Sequence, residues 1–576
     1  MKKEEVAQIL EEIGVLMELK GENPFKTRAY HNAARIIKGL SQDLETLVES
    51  GEIRKIKGIG SGLAEKITEL VRTGRLEYYE SLRASFPESL LELLRVPGLG
   101  PRKIRKLYDE LGIQTLDELE AACKAHRLAG LEGFGARTEE KILEGIEFIR
   151  KHSDRHLFHV AWQAGQRLYE AVSGHPGVIR AQLAGSLRRR KETVKDIDIV
   201  CSARDEDRDD IMAFYTGLPG IQTVIARGNT KSSIITEEGI QADLRIVSDD
   251  EFPYALHHFT GSREHNTAMR GHARKMGIKM NEYGLFRDDE TRIECRTEED
   301  IFAFLGMQYI PPELREDMGE IEAALEQKLP TLIEEKDLRG ILHVHTTYSD
   351  GANTLEEMVE ACRKLGMQYI GISDHSQSVY YANGLSPERL RQQAEQIREL
   401  NAKYDDFHIF HGTECDILSD GTLDYPDEVL ETLDFVIISV HQKLNMTERE
   451  ATGRIVKAMS HPLVTMLGHP TGRLLLSREG YPLNYDEIFA AAAEHGVIIE
   501  INANPHRFDL DWRYVREARE RGIMLSINPD AHSIQGLQDT FLGIGIARKG
   551  WLTAADVLNA QDVDTVKNLF LAKKGK

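Results

Sequence analysis

The sequence predicts a multidomain protein of mixed class: helical at its start, α+β in its middle and α/β at its end. Three observations carry this. A chain of 576 residues is too long for one ordinary core. Residues 1–150 space apolar side chains three and four apart, as in "GLAEKITELVRTG", which is the helical period. From residue 340 onward, apolar strand-like runs alternate with helical segments, the pattern of an α/β barrel or layered sheet. Between these regions, residues 155–255 hold short β-like runs such as "DIDIVCS" and "IQADLRIV", and residues 256–311 are mixed. Residues 312–338 are acidic and flanked by prolines, which predicts a partly helical linker.

Hydrophobic residues at 41% and charged residues at 29% describe a soluble globular chain. The start, "MKKEEVAQILEEIG", has no apolar signal core, and no apolar run approaches the ~18 residues that span a bilayer. Cys123, Cys201, Cys295, Cys362 and Cys415 are scattered and never form a C-x-x-C pair, so reduced thiols in a cytoplasmic protein are expected, not a cysteine zinc site. The net charge of −21 falls mostly on residues 312–576, roughly −16, against roughly −5 on residues 1–311. The total therefore does not exclude a nucleic-acid partner, because local basic tracks survive in an acidic sum.

The helical region repeats. "IKGIGSGLAEKI" (56–67), "VPGLGPRKIRKL" (96–107) and "LEGFGARTEEKI" (131–142) each place an apolar residue before Gly-x-Gly and a helix start. The glycine pairs Gly58 and Gly60, Gly98 and Gly100, and Gly133 and Gly135 permit a tight hairpin, after which helix N-terminal amides can receive a phosphate. This is the helix–hairpin–helix pattern, which grips the DNA backbone without reading sequence.

In "GSLRRRKETVKDIDIV" (185–200), Gly185 and Ser186 close a turn before a basic run, and Asp196 and Asp198 stand two apart. On a strand those carboxylates share a face and can bind hard cations. Asp243 in "QADLRIV" is placed to add a third carboxylate from a neighbouring strand. Two Mg²⁺ or Mn²⁺ ions held so would activate a hydroxyl and neutralise a triphosphate.

Over roughly residues 1–311 these motifs resemble the family X DNA polymerases, the polymerase β-like nucleotidyltransferases. The resemblance implies that Gly185, Ser186 and Arg189 hold the triphosphate and that Asp196, Asp198 and Asp243 are catalytic. In "HHFTGSREHNTAMR" it implies that His258, Phe259, Thr260 and Gly261 lie at the nucleotide's sugar, with Asn266 and Arg270 at the incoming nucleotide and templating region. His258 departs from the tyrosine of many members, which bears on discrimination against ribonucleotides. "GIGSGLAEK" resembles the family's lyase domain, in which Lys66 would be the Schiff-base nucleophile that removes a 5′-deoxyribose phosphate.

In the last third, potential ligands recur where apolar runs stop: His343 and His345 in "ILHVH", Asp374 and His375, Glu414, His441, His469, and Asp530 and His532, with Asp350 in the loop after the first run. Histidine mixed with carboxylate, without cysteine, suits Mn²⁺, Zn²⁺ or Fe²⁺, and phosphoester hydrolysis is the natural reaction class. These residues resemble the PHP (polymerase and histidinol phosphatase) domain, which implies a distorted seven-stranded β/α barrel. By resemblance one metal takes His343, His345, Glu414 and Asp530, a second shares Glu414 with His441 and His469, and a third uses Asp350, His375 and His532. Asp374 is read as structural.

The joined resemblance is to bacterial family X polymerases carrying a PHP domain. It divides the chain into a lyase-like domain (1–85), a fingers-like hairpin domain (86–154), a palm (155–255), a thumb-like domain (256–311), the linker (312–338) and the PHP domain (339–576). It implies gap filling in base excision repair on gapped or primer–template DNA with deoxynucleoside triphosphates. It also implies a Mn²⁺-dependent 3′→5′ exonuclease, with abasic-site cleavage or 3′-end cleaning as further activities, in a nucleoid-associated monomer. The alternatives are a small-molecule phosphatase in the PHP domain, or a DNA-end scaffold whose metals are structural.

Overall fold

A computed structural model describes residues 1, 3–38, 40, 44–96, 99–152 and 154–575. Gly98, one of the six hairpin glycines, lies outside these residues. The first 84 residues form helices Lys3–Lys20, Pro24–Lys38, Leu44–Glu49, Ser61–Thr73 and Glu77–Ala84. Their periodic apolar positions, among them Leu10, Ile13, Ile37 and Ile67, close one core. Helices Pro101–Leu111, Leu116–Lys124 and Ala136–His152 close a second around Ile104, Leu119 and Ile142.

Ile59 donates to the Ile56 carbonyl and Phe134 to Leu131, closing the same tight turn in the first and third repeats, and in the second Leu99 donates to Val96. The carbonyls of Gly60, Gly100 and Gly135 then accept the first amides of the following helix. Gly58 needs its missing side chain twice over: its φ is 97°, and a Cβ would lie 2.6 Å from Ile36 Cδ1.

The palm is a five-stranded mixed sheet in the order Val178–Leu183, Asp196–Ala203, Gln241–Val247, Lys231–Thr236, Ile221–Arg227. Asp196–Ala203 and Gln241–Val247 run parallel; the other neighbours are antiparallel. Next come helices Phe252–Thr260, Arg263–Lys275 and Glu298–Phe304 with a small three-stranded sheet.

The stretch 312–338, expected as a linker, carries a helix at Glu320–Leu325 and is packed. Leu314, Arg315, Glu320, Ile321, Leu332 and Ile333 are buried. Two of its acidic residues have distant partners: Glu313 pairs with Arg548, and Glu316 pairs with Arg189 and Lys549.

Seven parallel strands follow in chain order: Gly340–Val344, Tyr369–Ile372, His408–Asp416, Phe435–Ser439, Met466–Leu467, Ile498–Asn502 and Leu525–Asn528. Strands buried on both faces need near-continuous apolar runs, and these supply them. The ring closes where His345 N donates to Ala531 O at 2.9 Å and Ala531 N to His343 O at 3.2 Å. The expected distorted barrel is therefore present, joined by one bridge between Val344 and Ala531.

Palm and barrel share one apolar core. Glu192 of the palm accepts from Trp512 Nε1 at 3.0 Å and from Arg513 Nη1 at 3.1 Å. No helix is long and apolar enough to cross a membrane among the described residues.

Candidate active sites

In the palm, Asp198 and Asp243 are register partners on adjacent parallel strands, and Asp196 shares their face two residues earlier. Gly185, at φ 61°, admits Asp198: a Cβ there would lie 2.4 Å from Asp198 Oδ2. Burial, reinforced by Asp196 and Asp243, pushes the Asp198 carboxyl up to about 7. Burial and Asp243 likewise raise Asp196. Burial acts on Asp243 in the same sense, but hydrogen bonds from Lys231, Ser233 and Gln241 outweigh it and lower its pKa. Lys231 Nζ lies 2.7 Å from Asp243 Oδ2. The three carboxylates are not drawn together within 4.8 Å as the barrel donors are. Like charges raised in this way fit a site completed by cations.

Ser186 lies in the one-turn helix Gly185–Arg188. Arg189, expected at the triphosphate, donates from Nε to Glu316 Oε1 at 3.1 Å and from Nη1 to the Thr260 carbonyl. Its guanidinium thus ties the Gly185–Ser186 turn to Thr260 and Gly261. His258 is half-buried and its carbonyl accepts from Asn266 Nδ2 at 2.8 Å, while Phe259 lies under the Arg245 guanidinium at 4.1 Å. Arg270 is exposed on the helix Arg263–Lys275. Lys66 is half-buried on Ser61–Thr73, its ammonium 5.1 Å from the Tyr78 ring centroid.

In the barrel the structure brings the nine expected ligands to one end. His343, His345, Glu414 and Asp530 converge within 4.8 Å, as do His345, Asp350, His375 and His532. Glu414 Oε1 lies 3.2 Å from His441 Nε2 and 2.8 Å from His469 Nε2. The third close group is His375, Glu414 and His441, with His375 Nδ1 2.9 Å from Glu414 Oε2, so His375 stands where the expected second set had His469. His343, His469 and Asp530 hold φ of 60°, 22° and 53°, so three of the nine donors carry backbone strain.

These residues fit divalent cations. The buried atoms His343 Nε2, both ring nitrogens of His345 and Glu414 Oε2 have no hydrogen-bond partner. Burial alone would discharge His441 and His532, yet carboxylates outweigh it and hold both up to about 9: Glu414 and Asp416 for His441, Asp350 and Asp530 for His532. Burial with the neighbouring His532 and His375 lowers His345 to about 4. Protons thus stand where cations would bind, and cation binding would release them.

Three partners were not found by sequence reasoning. Glu500 Oε1 lies 2.6 Å from His343 Nδ1, and Glu500 Oε2 accepts the His469 amide at 2.7 Å. Asp416 accepts the His441 amide at 3.1 Å. Arg507 Nε lies 3.5 Å from Asp530 Oδ2. The signal for Glu500 was one carboxylate inside the apolar run "VIIEIN"; for Asp416 it was the same-face position two after Glu414. Asp374 accepts from Thr346 N at 2.7 Å, Thr346 Oγ1 at 2.7 Å and Gln393 Nε2 at 2.6 Å, so it fixes the loop that carries Asp350.

Comparison with known proteins matches this geometry. Family models match residues 1–76 (helix-hairpin-helix domain), 90–147 (SAM-like helix-hairpin-helix tandem), 255–316 (DNA polymerase beta thumb) and 342–504 (PHP domain). A Bacillus subtilis (strain 168) protein named DNA polymerase/3'-5' exonuclease PolX is 41% identical over 572 residues, 98% of this chain and 99% of that one. The chain belongs to the bacterial family X DNA polymerases with a PHP domain. Within this family X chain the barrel also resembles free-standing proteins. A probable phosphatase of Thermoanaerobacter sp. (strain X514) is 27% identical over 253 residues, 41% of this chain and 95% of its own length. A probable phosphatase of Clostridium acetobutylicum is 27% identical over 208 residues, 33% of this chain and 78% of its own.

Proposed function

We propose that this chain fills short gaps in DNA during base excision repair, adding deoxynucleotides in the palm and trimming 3′ ends in the barrel. As a family X member with a PHP domain it is a DNA polymerase and a metal-dependent 3′→5′ exonuclease. The observation that carries the reading is Asp198 opposite Asp243, with Asp196 on the same face, in a sheet whose core is continuous with the barrel of clustered donors.

In the palm, Asp196, Asp198 and Asp243 hold Mg²⁺ or Mn²⁺. Gly185, Ser186 and Arg189 serve the triphosphate, with Arg189 fixing the Thr260–Gly261 turn from behind. His258, Phe259, Thr260 and Gly261 face the sugar, and Asn266 and Arg270 the base and template. In the barrel the nine ligands hold up to three ions of Mn²⁺, Zn²⁺ or Fe²⁺. Bound cations would supply a nucleophile at neutral pH and stabilise phosphoryl charge. Glu500 orients His343, and Asp416 orients His441. The hairpin amides after Gly60, Gly100 and Gly135 hold DNA backbone. Lys66 removes a 5′-deoxyribose phosphate, and the barrel also cuts at abasic sites or cleans blocked 3′ ends. The protein works as a nucleoid-associated cytoplasmic monomer.

The test is a one-nucleotide-gapped duplex with the complementary deoxynucleotide. Asp198→Asn is expected to lose several kcal/mol of transition-state stabilisation, on the order of a thousandfold in rate. Its nuclease should persist. Gap filling by Asp198→Asn at the wild-type rate contradicts the assignment. The resemblance to probable phosphatases favours one rival, hydrolysis of small phosphate esters. Hydrolysis of a small ester that excess DNA fails to inhibit would support that rival.

A further inference from the structure

The loop between His375 and the helix Pro387–Asn401 presents two adjacent aromatic side chains to solvent, Tyr380 at 79% and Tyr381 at 68% exposure. Exposed tyrosines on a loose loop would mean little, but this loop is pinned on both sides to the barrel centre. Ser378 Oγ donates to Asp416 Oδ2 at 3.1 Å, and Asp416 in turn holds His441. Asn383 Nδ2 donates to the Tyr348 and Ser349 carbonyls at 3.0 and 3.2 Å, next to Asp350. Leu385 N donates to the His375 carbonyl at 2.8 Å. A Cβ on Gly384 would lie 1.9 Å from the Ser376 carbonyl, so the loop is folded tightly against the ligand segment.

The loop that carries both rings therefore stands at the rim of the donor ring. On the same rim, Arg507 faces Asp530. Metal donors, a guanidinium and two ring faces held by a fixed loop are the parts that bind a phosphodiester with its base.

We propose that Tyr380 and Tyr381 form a nucleobase subsite of the barrel centre, holding the terminal base of an unpaired DNA 3′ end while the donor ring takes the scissile phosphate. This rests on the exonuclease reading above. Stacking tolerates any base, because every base has a π face, so the subsite selects unpaired ends without selecting sequence. A paired terminus offers only its outer face, since the inner one is stacked on the neighbouring base pair, and its base is held by its partner strand.

The experiment compares two 5′-labelled single strands in Mn²⁺. One ends in an ordinary 3′ nucleotide, the other in a tetrahydrofuran residue that keeps the phosphodiester and lacks the base. Wild type, Tyr380→Leu, Tyr381→Leu and the two Phe variants are measured on both. Each Leu change is expected to lower kcat/KM on the ordinary end about fivefold or more. The Phe variants should retain it, and all variants should match wild type on the base-free end. Leu variants equal to wild type on the ordinary end, or equally impaired on both ends, overturn the subsite. If wild type cleaves both strands normally in those cases, the exonuclease reading survives. Cleavage of neither strand by wild type overturns both.

Discussion

Glu500 Oε1 sits 2.6 Å from His343 Nδ1 at the bottom of the barrel centre, and its other oxygen accepts the His469 amide. One buried carboxylate thus sets the ring orientation of one donor and the backbone position of another. Asn502 and Asn528 bind the same carboxylate at 3.1 and 3.0 Å, so it is held in place before any cation arrives.

Glu500→Gln keeps the shape and loses the charge that orients His343. Mn²⁺ affinity should fall about 10–100-fold, as is typical when such a partner is removed. Calorimetric Mn²⁺ titration of the variant checks this. Gap filling in the palm should be unchanged, because Glu500 touches no palm residue that binds nucleotide.

Acid should loosen the palm–barrel junction. Burial would raise the Glu192 carboxyl, but the Arg513, Lys191 and Arg473 charges more than offset it and lower the pKa to about 2. A depressed carboxylate stabilises the fold fully above its unfolded value near 4.5, and that stability is lost as pH falls towards 2. The contribution is on the order of 3 kcal/mol. Urea denaturation from pH 7 to pH 3 should show Glu192→Gln weaker at pH 7 and with a shallower decline below pH 4.5. Some decline should remain, because Glu298, buried but paired with Arg315 and Arg188, is also lowered to about 2.

The stretch 312–338 should resist proteolysis. Arg315 is fully buried and donates to Glu298 Oε1 at 2.5 Å. Lys549 from the barrel reaches Glu316 Oε1 at 2.7 Å and the Arg189 carbonyl at 3.0 Å. Limited digestion followed by mass spectrometry should cut elsewhere before it releases a unit beginning near residue 335. Early cleavage there would mean that these ion pairs do not hold the domains together.

What the sequence made legible follows from where the signal is local. Helical period, three Gly-x-Gly turns and ligands at the ends of apolar runs each sit within a dozen residues. They sufficed for the helical start, the β-rich middle and an α/β last third, while the seven-stranded barrel was an expectation of the family resemblance. The partnerships that cross the chain were not legible. "PPELREDMGEIEAALEQ" reads as an acidic linker because nothing nearby reveals that Glu313 meets Arg548 or that Glu316 meets Lys549. The family resemblance aims Arg189 at a triphosphate, yet the sequence cannot show the guanidinium bound to Glu316 and Thr260. Glu500 pairs with a residue 157 positions away, so only the fold reveals it.

The central claim is that the barrel donors form a DNA 3′ nuclease separate from the palm. A 5′-labelled primer on a one-nucleotide-gapped duplex, with Mn²⁺ and no deoxynucleotide, tests it using wild type and His343→Ala. The account predicts that wild type shortens the primer and His343→Ala does not, while both fill the gap once the deoxynucleotide is added. Equal shortening by both proteins, or none by wild type, would contradict it.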